Sequence, residues 1–549
     1  MGGVGAGGGL PHTRRDPPVE ACLAPANYLI RIAKSMSGPR PPARPTTMAT
    51  PGDDAPAAAL DFSPEERARW EWPADEVRRV GHQVVELIAA HLSSLPGRPV
   101  FRPFPAELAE AMTAPQSAPI EGADPASILA EFAETVEPYP FGNGHPRFHG
   151  WVNSPPAVLG VFAEALAAAM NPSVAGGNHA AVFVERQVLE WLKALAAFPP
   201  ESMGLLVSGG SMATLTALAV ARTAAARRDG VDVRAAGVAG LPRPLAVYTS
   251  PEGHAAIRKS VELLGIGSER LRIVAADGER RMRPDELDRA LRRDLADGLR
   301  PMAVVASAGS AGTGAVDPLA ELAAVCRAHG VWLHVDGAYG LPAILTERWR
   351  AALEPVALAD SVALDPHKWL YVPVEAGAVL VRDADAMRGT FSLVPAYLQT
   401  DPAVGGGPWL SEYGFAQTRG FRALKVWMAL KHHGLEGYRR AIARDVALAE
   451  HLAARVEESP ELQLASCSLS IVCFRYAPPE LAADPERADA LNRRLLREVQ
   501  LGGEAFLTST AASGRYVLRA CIINPRATRE GVEALVRLVE RTGRRLMEG

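Results

Sequence analysis

Short apolar segments alternate with helical segments between residues 205 and 381, and this pattern narrows the possible folds more than any other feature. The apolar segments consist mostly of Val, Leu, Ala and Ile, as in strands that are buried on both faces. They cover 205–207, 245–250, 302–309, 331–336 and 377–381. Helical segments separate most of them, as crossover helices separate parallel strands. The pattern predicts an α/β fold with a mainly parallel sheet and helices on both faces.

Polar residues follow several of these predicted strands. In a parallel sheet, ligand groups gather at the carboxyl ends of the strands. The residues found there are Ser211, His254, Asp336 and Lys368. The sequence therefore predicts a single site that contains a hydroxyl, an imidazole, a carboxylate and an amine.

Two of these residues suggest the chemistry. A lysine in a partly dry site, as predicted for Lys368, loses its proton more easily and can form an imine with an aldehyde. Asp336 ends an apolar strand, and a buried aspartate needs a cationic partner such as a protonated pyridine nitrogen. Each residue also has a simpler interpretation when taken singly, Lys368 as a solvated surface lysine and Asp336 as the cap of the next turn.

A glycine-rich turn precedes an alanine-rich helix at Gly209-Gly210-Ser211. The free backbone N–H groups and the dipole at the start of a helix suit a phosphate. The turn is not a P-loop, because no Gly-Lys-Ser/Thr follows it. An ordinary strand–helix turn is the alternative interpretation.

Six sequence blocks, in this order, resemble the group II pyridoxal-phosphate-dependent amino acid decarboxylases, the family of the aromatic-L-amino-acid, glutamate and diaminobutyrate decarboxylases. The blocks are His145-Pro146-Arg147-Phe148, Gly209-Gly210-Ser211, His254, His334-Val335-Asp336, Asp365-Pro366-His367-Lys368-Trp369 and Arg419-Gly420-Phe421-Arg422-Ala423-Leu424-Lys425. The resemblance covers about residues 62–545. It implies a fold type I enzyme with a large domain, a helical N-terminal extension and a small C-terminal α/β domain.

The resemblance implies pyridoxal 5′-phosphate as the cofactor and gives residues for each part of it. Lys368 would hold the cofactor as an imine until the substrate amine displaces it, and Asp336 would keep the ring nitrogen protonated. His254 would stack on the ring and, together with Tyr397, manage protons, although a helix-capping role is the simpler interpretation of His254. The other implied cofactor-binding residues are Gly210, Ser211, Ser310, Ala338 and His367.

The predicted substrate pocket contains three residues. Trp151 falls where several relatives place an aromatic side chain, and core packing is the alternative. Asn171 and Ser173 lie in a segment that the family contributes across its dimer interface. They are small and polar, which favours an aliphatic or polar substrate. Relatives usually carry Gly-Thr-Thr where this chain has Ser310 and Ala311 after a glycine, and the side chain of Ala311 cannot donate a hydrogen bond to the cofactor.

The predicted reaction is the decarboxylation of an L-amino acid to a primary amine and carbon dioxide by a pyridoxal-phosphate-dependent carboxy-lyase. Relatives with phenylalanine at the position of Tyr397 tend to be aldehyde synthases, so the tyrosine favours simple decarboxylation. An oxidative aldehyde synthase and a carbon–carbon lyase are the alternatives, and a non-catalytic binding relative is a remote one. The family also implies a homodimer whose active site lies at the subunit interface.

The chain of 549 residues is too long for one core, and the sequence predicts four regions. They are an extension at 1–60 that is rich in Gly and Pro and predicted to be disordered, a helical segment at 61–143 that packs on the partner subunit, a large cofactor-binding domain at 144–435 and a small domain at 436–549. Residues 1–47 have two further interpretations, a targeting segment and an untranslated stretch before Met48.

Composition excludes several classes of function. The net charge of −4 gives no indication of nucleic-acid binding. The five cysteines have no paired spacing, which argues against a disulfide framework and against a metal site. No apolar stretch is long enough to span a membrane, so the sequence predicts a cytoplasmic enzyme that acts on a small molecule.

Overall fold

The computed structural model describes residues 62–142, 144–394, 409–481 and 483–548. Its contacts define two compact units, 1–77 and 78–549. In the first unit the described residues contain helix α1 (Pro64–Trp70) and the start of α2 (Ala74–Ser94). Ser63 caps α1, because its Oγ accepts a hydrogen bond from the Glu66 backbone while the Glu66 side chain accepts one from the Ser63 backbone.

Helices precede and cover the sheet of the second unit. The helices before the first strand are α3 (Ala106–Thr113), α4 (Pro125–Thr135), α5 (Val158–Met170) and α6 (Ala180–Leu195). Those of the large domain are α7 (Gly210–Arg228), α8 (Val233–Ala236), α9 (Ala255–Leu263), α10 (Pro284–Ala296), α11 (Leu319–His329), α12 (Glu347–Leu353), α13 (Ala384–Phe391) and α14 (Ala423–Glu458). Short 3₁₀ helices cover Leu95–Gly97, Val238–Gly240, Ser268–Arg270, Leu341–Leu345, Glu354–Leu358, Leu410–Tyr413 and Pro479–Leu481.

A seven-stranded sheet forms the centre of the large domain. Its strands are β1 (Met203–Val207), β2 (Leu245–Thr249), β3 (Leu271–Ile273), β4 (Arg300–Ser307), β5 (Trp332–Asp336), β6 (Ser361–Leu364) and β7 (Gly377–Val381). They lie in the order β1-β7-β6-β5-β4-β2-β3, and β7 is antiparallel to both of its neighbours. The mainly parallel sheet is confirmed, and the carboxyl ends of β2, β4, β5 and β6 meet at one edge.

A four-stranded antiparallel sheet forms the small domain, in the order β10-β11-β9-β8. Its strands are β8 (Leu462–Ser468), β9 (Ile471–Tyr476), β10 (Thr508–Ala512) and β11 (Arg515–Cys521), and its helices are α15 (Pro485–Leu501) and α16 (Arg529–Glu548). The residues of β9 and β11 are mostly apolar, whereas the Thr-Ser-Thr-Ala-Ala segment of β10 carries no apolar pattern.

The described residues contain two large hydrophobic cores. One core surrounds the seven-stranded sheet, and the other joins the four-stranded sheet to α15, α16 and the second half of α14. Gly434, with φ of 65°, interrupts α14 next to the predicted boundary at 435. The exact boundaries remain predictions.

The first four helices, α1 to α4, remain accessible to solvent in the single chain. None of the residues of α1, α2, α3 and α4 is buried. A groove of about 730 Å³ runs along the second unit between α2 and α4 and is lined by apolar side chains that include Val84, Ile88 and Phe132. Among the helices that the structure describes, none has the length and apolar character needed to cross a membrane.

Candidate active site

A cavity of about 380 Å³ lies at the edge of the sheet where the carboxyl ends of the parallel strands meet. The strand ends and the start of α7 bring together residues that are far apart in sequence. The eight predicted cofactor-binding residues all line this cavity, namely Gly210, Ser211, His254, Ser310, Asp336, Ala338, His367 and Lys368. The sequence therefore located the site, and the roles given to its residues remain predictions.

Lys368 lies in the turn that follows β6, and its Nζ lies 2.9 Å from Oδ2 of Asp365. The carboxylate is almost completely buried, at 1% exposed, whereas the lysine side chain is 22% exposed toward the cavity. Burial lowers the pKa of Lys368, but the charges of Asp365 and Asp336 raise the pKa by more, and the balance lies above the usual value. The sequence-based expectation that a partly dry site lowers the pKa of Lys368 is therefore wrong for the cofactor-free chain, because Asp365 stabilises the ammonium form.

Asp336 is the last residue of β5, and its Oδ1 accepts a hydrogen bond of 3.1 Å from the backbone N–H of Ala338. The capping interaction that the sequence offered as an alternative is therefore present. It occupies one carboxylate oxygen, and Asp336 still lines the cavity. The residue can cap the turn and face a cation at the same time.

The glycine turn packs too closely against its neighbours to carry side chains. A Cβ on Gly210 would lie 2.9 Å from the Ala338 Cβ and 3.1 Å from Oδ2 of Asp365. A Cβ on Gly377, at the start of β7, would lie 2.4 Å from the Cα of Gly209. Because α7 starts at Gly210 without a side-chain cap, its first backbone N–H groups are available to an anion.

Two histidines form further parts of the wall. The Nδ1 of His254 accepts a hydrogen bond of 3.1 Å from the Ala256 backbone, so His254 both caps α9 and lines the cavity. In the neutral ring this bond places the proton on Nε2. His367 Nδ1 lies 2.7 Å from the carbonyl oxygen of Ala376, and burial lowers the pKa of His367. Its ring approaches the glycine turn, because a Cβ on Gly209 would lie 3.4 Å from it.

Ser310 forms a hydrogen bond with a carboxylate that the sequence analysis did not identify as part of the site. Its Oγ donates to Oε2 of Glu252 at 3.0 Å, and Thr313 Oγ1 donates to the same oxygen at 2.7 Å. The other oxygen of Glu252 pairs with Arg280 at 2.7 Å. Glu252 lies two residues before His254, so it joins the loops that follow β2 and β4 on the cavity wall.

A second cavity of about 510 Å³ adjoins the first and shares His254, Ala311 and Lys368 with it. Its other wall comes from the small domain and from the segment around Trp151. The residues of that wall include Trp151, Asn153, Phe506, Thr508, Thr510 and Arg519. Trp151 is 45% exposed and stacks against Phe141 at 4.5 Å, so it belongs to an aromatic cluster and to the cavity wall at once.

Arg519 of β11 is a second cation that lines this cavity, in addition to Lys368. Its guanidinium is 4% exposed and donates to the carbonyl oxygens of Gly312, at 3.1 Å, and Trp151, at 2.9 Å. Nη2 has no hydrogen-bond partner in the described parts of the chain. A buried donor without a partner is rare and costly, which indicates a place for an acceptor from a ligand.

Comparisons with known proteins agree with this geometry. Residues 105–477 match the family model of the pyridoxal-dependent decarboxylase conserved domain. The chain is 35% identical over 461 residues to the aromatic-L-amino-acid decarboxylase of Bacillus atrophaeus, covering 83% of this chain and 93% of that enzyme. It is 35% identical over 435 residues to the L-2,4-diaminobutyrate decarboxylase of Rhizobium meliloti (strain 1021), covering 78% and 84%. The crystal structure of Oryza sativa TDC with PLP and tryptamine matches with a TM-score of 0.81 at 27% identity, covering 89% of this chain and 100% of that one.

The chain belongs to the pyridoxal-dependent decarboxylase family. It is a carboxy-lyase that uses pyridoxal phosphate to decarboxylate an amino acid. The resemblance, the fold class and the cofactor that the sequence predicted are confirmed.

The cavity residues of this decarboxylase fit the cofactor. The uncapped start of α7 at Gly210 and Ser211 suits the phosphate, Asp336 suits the protonated ring nitrogen, and Lys368 supplies the amine for the aldehyde. Glycine at position 210 lets this turn pack closely against Ala338 and Asp365, where a Cβ would collide. When bound, the cofactor supplies an electron-withdrawing ring that accepts the electrons of the bond broken at the substrate α-carbon.

Two predicted pocket residues are not brought to the cavities. Asn171 and Ser173 are exposed and line neither cavity of the single chain. Tyr397 lies outside the described residues. Conversely, sequence reasoning missed Asp365, Glu252 and Arg519. Asp365 had a local signal, since it stands three residues before Lys368, whereas Arg519 stands in an ordinary apolar strand of another domain and had none.

Proposed function

We propose that this decarboxylase converts an L-amino acid with an aromatic side chain to its primary amine and carbon dioxide. The observation that carries the proposal is the junction of the two cavities at His254, Ala311 and Lys368. One cavity suits the cofactor, and the other leads from the same lysine to an aromatic wall. A substrate in the second cavity would have its α-amino group beside Lys368.

Arg519 orients the substrate in this proposal. Its Nη2 is the unpaired donor of the second cavity, and guanidinium groups bind carboxylates through charge-assisted hydrogen bonds. Holding the carboxylate away from the Lys368 amine fixes which bond at the α-carbon can break. His254, with its proton on Nε2, lines both cavities together with Lys368 and can return a proton after carbon dioxide leaves.

The side-chain wall supports an aromatic substrate. Trp151 and Phe506 line the second cavity, and their rings lie 5.9 Å apart in the same cluster. Aromatic pairs at such distances add stabilisation beyond their buried area. The aliphatic or polar substrate expected from Asn171 and Ser173 remains the competing prediction, which the experiment below decides.

The test is an amino acid panel with the cofactor-loaded enzyme. Tryptophan, tyrosine and phenylalanine are compared with 2,4-diaminobutyrate and glutamate, and carbon dioxide, amine and peroxide are measured together. We expect equal amounts of carbon dioxide and amine from an aromatic substrate. Release of amine from diaminobutyrate or glutamate alone would overturn the substrate class, and no amine from any substrate would overturn the reaction.

The same panel tests the oxidative alternative. An aldehyde synthase would release carbon dioxide together with aldehyde and peroxide instead of amine. Because Tyr397 carried the preference for simple decarboxylation, a Tyr397→Phe variant belongs in the panel. We expect the variant to gain peroxide production at the expense of amine.

Assembly into a homodimer with its active site at the interface is part of the proposal. The groove between α2 and α4 is a continuous apolar surface and not a set of isolated exposed residues. Continuous exposed apolar surfaces mark interaction sites. Phe132 and Ile128 of α4 are 42% and 52% exposed in the single chain. Light scattering should give twice the mass of 58.3 kDa, and a Phe132→Glu variant should shift it toward the monomer.

A cytoplasmic location completes the proposal. Cys326, Cys467, Cys473 and Cys521 are free thiols, the state that reducing compartments maintain. Fractionation of cells that produce the protein tests this, and recovery outside the cytoplasm would contradict it.

A further inference from the structure

A buried carboxylate on α14 contacts the turn that carries Lys368. Oδ2 of Asp445 accepts hydrogen bonds from Trp369 Nε1 at 3.0 Å and from the Tyr371 hydroxyl at 2.7 Å. Asp445 is completely buried, and it lines neither cavity described above. Oδ2 of Asp445, on α14, therefore fixes the side chains of Trp369 and Tyr371. These residues lie one and three positions after Lys368 in sequence.

Asp445 is costly for the fold as a carboxylate. Its Oδ1 has no hydrogen-bond partner among the described residues, although the Asn524 backbone lies near enough to lower the carboxyl pKa. Burial of an acid that is not fully hydrogen-bonded costs free energy. An apolar residue at position 445 would fill the same space without this cost. The hydrogen bonds of Asp445 to the lysine turn therefore need an explanation other than packing.

The turn itself is strained where it meets Asp445. Tyr371 has a φ of 53°, in the left-handed region that residues other than glycine rarely adopt. Its backbone N–H bonds to the Lys368 carbonyl at 3.2 Å, so the strained residue closes the turn that bears the lysine. Such a conformation persists only where its surroundings hold it, and the bond from the Tyr371 hydroxyl to Asp445 is one such hold.

Trp369 is fixed at both ends. Its indole nitrogen donates to Asp445, and its ring stacks on Tyr339, with centroids 5.0 Å apart. Tyr339 lines the cofactor cavity, and its hydroxyl lies 2.6 Å from Oγ of Ser470 in the small domain. The residue next to Lys368 is thus held between α14 and the cavity wall.

We propose that Asp445 is a positioning residue for Lys368. It holds Trp369 and Tyr371 so that the turn presents the lysine amine to the cavity and to Asp365. This rests on the proposed role of Lys368 as the residue that takes the cofactor. Asp445 acts through its two donors and touches neither cofactor nor substrate.

A second buried Tyr–Asp pair provides a matched control. Asp294 is 1% exposed, and its Oδ2 accepts a hydrogen bond of 2.7 Å from the Tyr248 hydroxyl. This pair lines neither cavity. Loss of Asp294 should therefore lower stability as loss of Asp445 does, without changing the lysine turn.

The experiment compares Asp445→Ala, Asp445→Asn and Asp294→Ala. In cofactor-free protein, hydrogen–deuterium exchange of peptides over 365–373 reports on the turn, and absorbance titration gives the affinity for pyridoxal phosphate. We expect Asp445→Ala to exchange faster there, to bind the cofactor roughly 10-fold more weakly and to lose roughly 10- to 100-fold in kcat with little change in KM, since small misplacements of reacting groups cost this much. Asp445→Asn should recover part of each effect, because its amide oxygen can accept both bonds.

Different outcomes separate this inference from the proposed function. If Asp445→Ala lowers Tm like Asp294→Ala but leaves exchange over 365–373 and cofactor affinity unchanged, the positioning role is overturned. Absence of decarboxylation in the wild-type enzyme would overturn the proposed function, whereas the two cofactor-free readouts still decide on Asp445. Should Asp445→Ala not fold, Tyr371→Phe removes a single hydroxyl and should change exchange in the same direction, and an unchanged rate would overturn the proposal.

Discussion

Lys368 and Asp365 form an ion pair of 2.9 Å inside the cofactor cavity, across a single turn of chain. The pair holds the lysine in its ammonium form, although an amine must be neutral to attack an aldehyde. Asp365 is also the nearest acceptor for the proton that the lysine must release. The ion pair therefore fixes the position of the lysine side chain. It also makes the reaction of Lys368 with the cofactor depend on pH, because the ammonium group must first lose a proton.

Replacement of Asp365 by Asn should lower the pKa of Lys368. Burial alone lowers this pKa, and Asp365 is the largest influence that raises it. The pH at which cofactor loading reaches half its maximal rate should fall in Asp365→Asn. Stopped-flow absorbance of cofactor-free protein mixed with pyridoxal phosphate measures it. Asp336→Asn should shift the midpoint less, because Asp336 is the weaker influence, and coinciding midpoints for wild type and Asp365→Asn would contradict the prediction.

Replacement of Arg519 should weaken substrate binding. Arg519→Met removes the unpaired donor, and we expect KM to rise roughly 10- to 100-fold, as for the loss of a charge-assisted hydrogen bond. Arg519→Lys should have a smaller effect, because it keeps the charge but not the fork geometry. Arg475 of the neighbouring β9 is a control, since it is 6% exposed but pairs with Asp489 away from the cavity. A similar KM for Arg475→Met and Arg519→Met would count against the assignment.

Glu252 should matter for both stability and cofactor binding. Glu252→Ala leaves Arg280, Ser310 and Thr313 without their shared acceptor and should cost about 2 to 4 kcal/mol in the free energy of unfolding. Glu252→Gln keeps an acceptor for one side of the network and should recover part of the loss. Urea unfolding and cofactor titration measure the two effects. Unfolding free energies that match the wild type in both variants would show that the network does not hold the loops together.

His149 should destabilise the fold in acid. It is 1% exposed, both ring nitrogens lack partners among the described residues, and burial lowers its pKa to about 4. As pH falls from about 6.5 to about 4, the unfolded chain binds a proton that the folded chain excludes, so stability is lost, by about 2 kcal/mol at pH 5. His149→Leu should therefore raise Tm more at about pH 5 than at about pH 8. Equal changes in Tm at the two pH values would contradict this.

Asp445 should have the opposite pH dependence. Burial raises its pKa to about 7, so between about 4 and 7 the folded chain keeps a proton that the unfolded chain releases. Stability therefore falls as pH rises, by roughly 4 kcal/mol over this window. The Tm of Asp445→Asn relative to that of the wild type should be higher at about pH 8 than at about pH 5. The groups around the carboxylate are Trp369, Tyr371, Arg444, Cys521 and the backbone of Asn524. A constant difference in Tm across pH would show that Asp445 does not titrate in this range.

Much of the fold and the cofactor site could be predicted because both have local signals. An apolar segment between helical segments indicates a buried strand, and the residue after it lies at the edge where ligands bind. Ser211, His254, Asp336 and Lys368 were placed together on this basis, and they line one cavity. The reversed direction of β7 could not be predicted, because a strand that is buried on both faces has the same pattern in either direction.

The sequence by itself determined the parallel sheet, the family and the residues of the cofactor cavity, because strand burial and ligand edge are properties of short segments. Tertiary structure alone decided the partners of those residues. Arg519 reaches the second cavity from another domain, Glu252 joins two loops, and Asp445 reaches the lysine turn from α14. Hydrogen bonds and charge interactions depend on distances of a few ångströms between atoms that sequence does not bring together. For the same reason, the sequence did not reveal that Asp365 and Asp336 together outweigh the effect of burial on the pKa of Lys368.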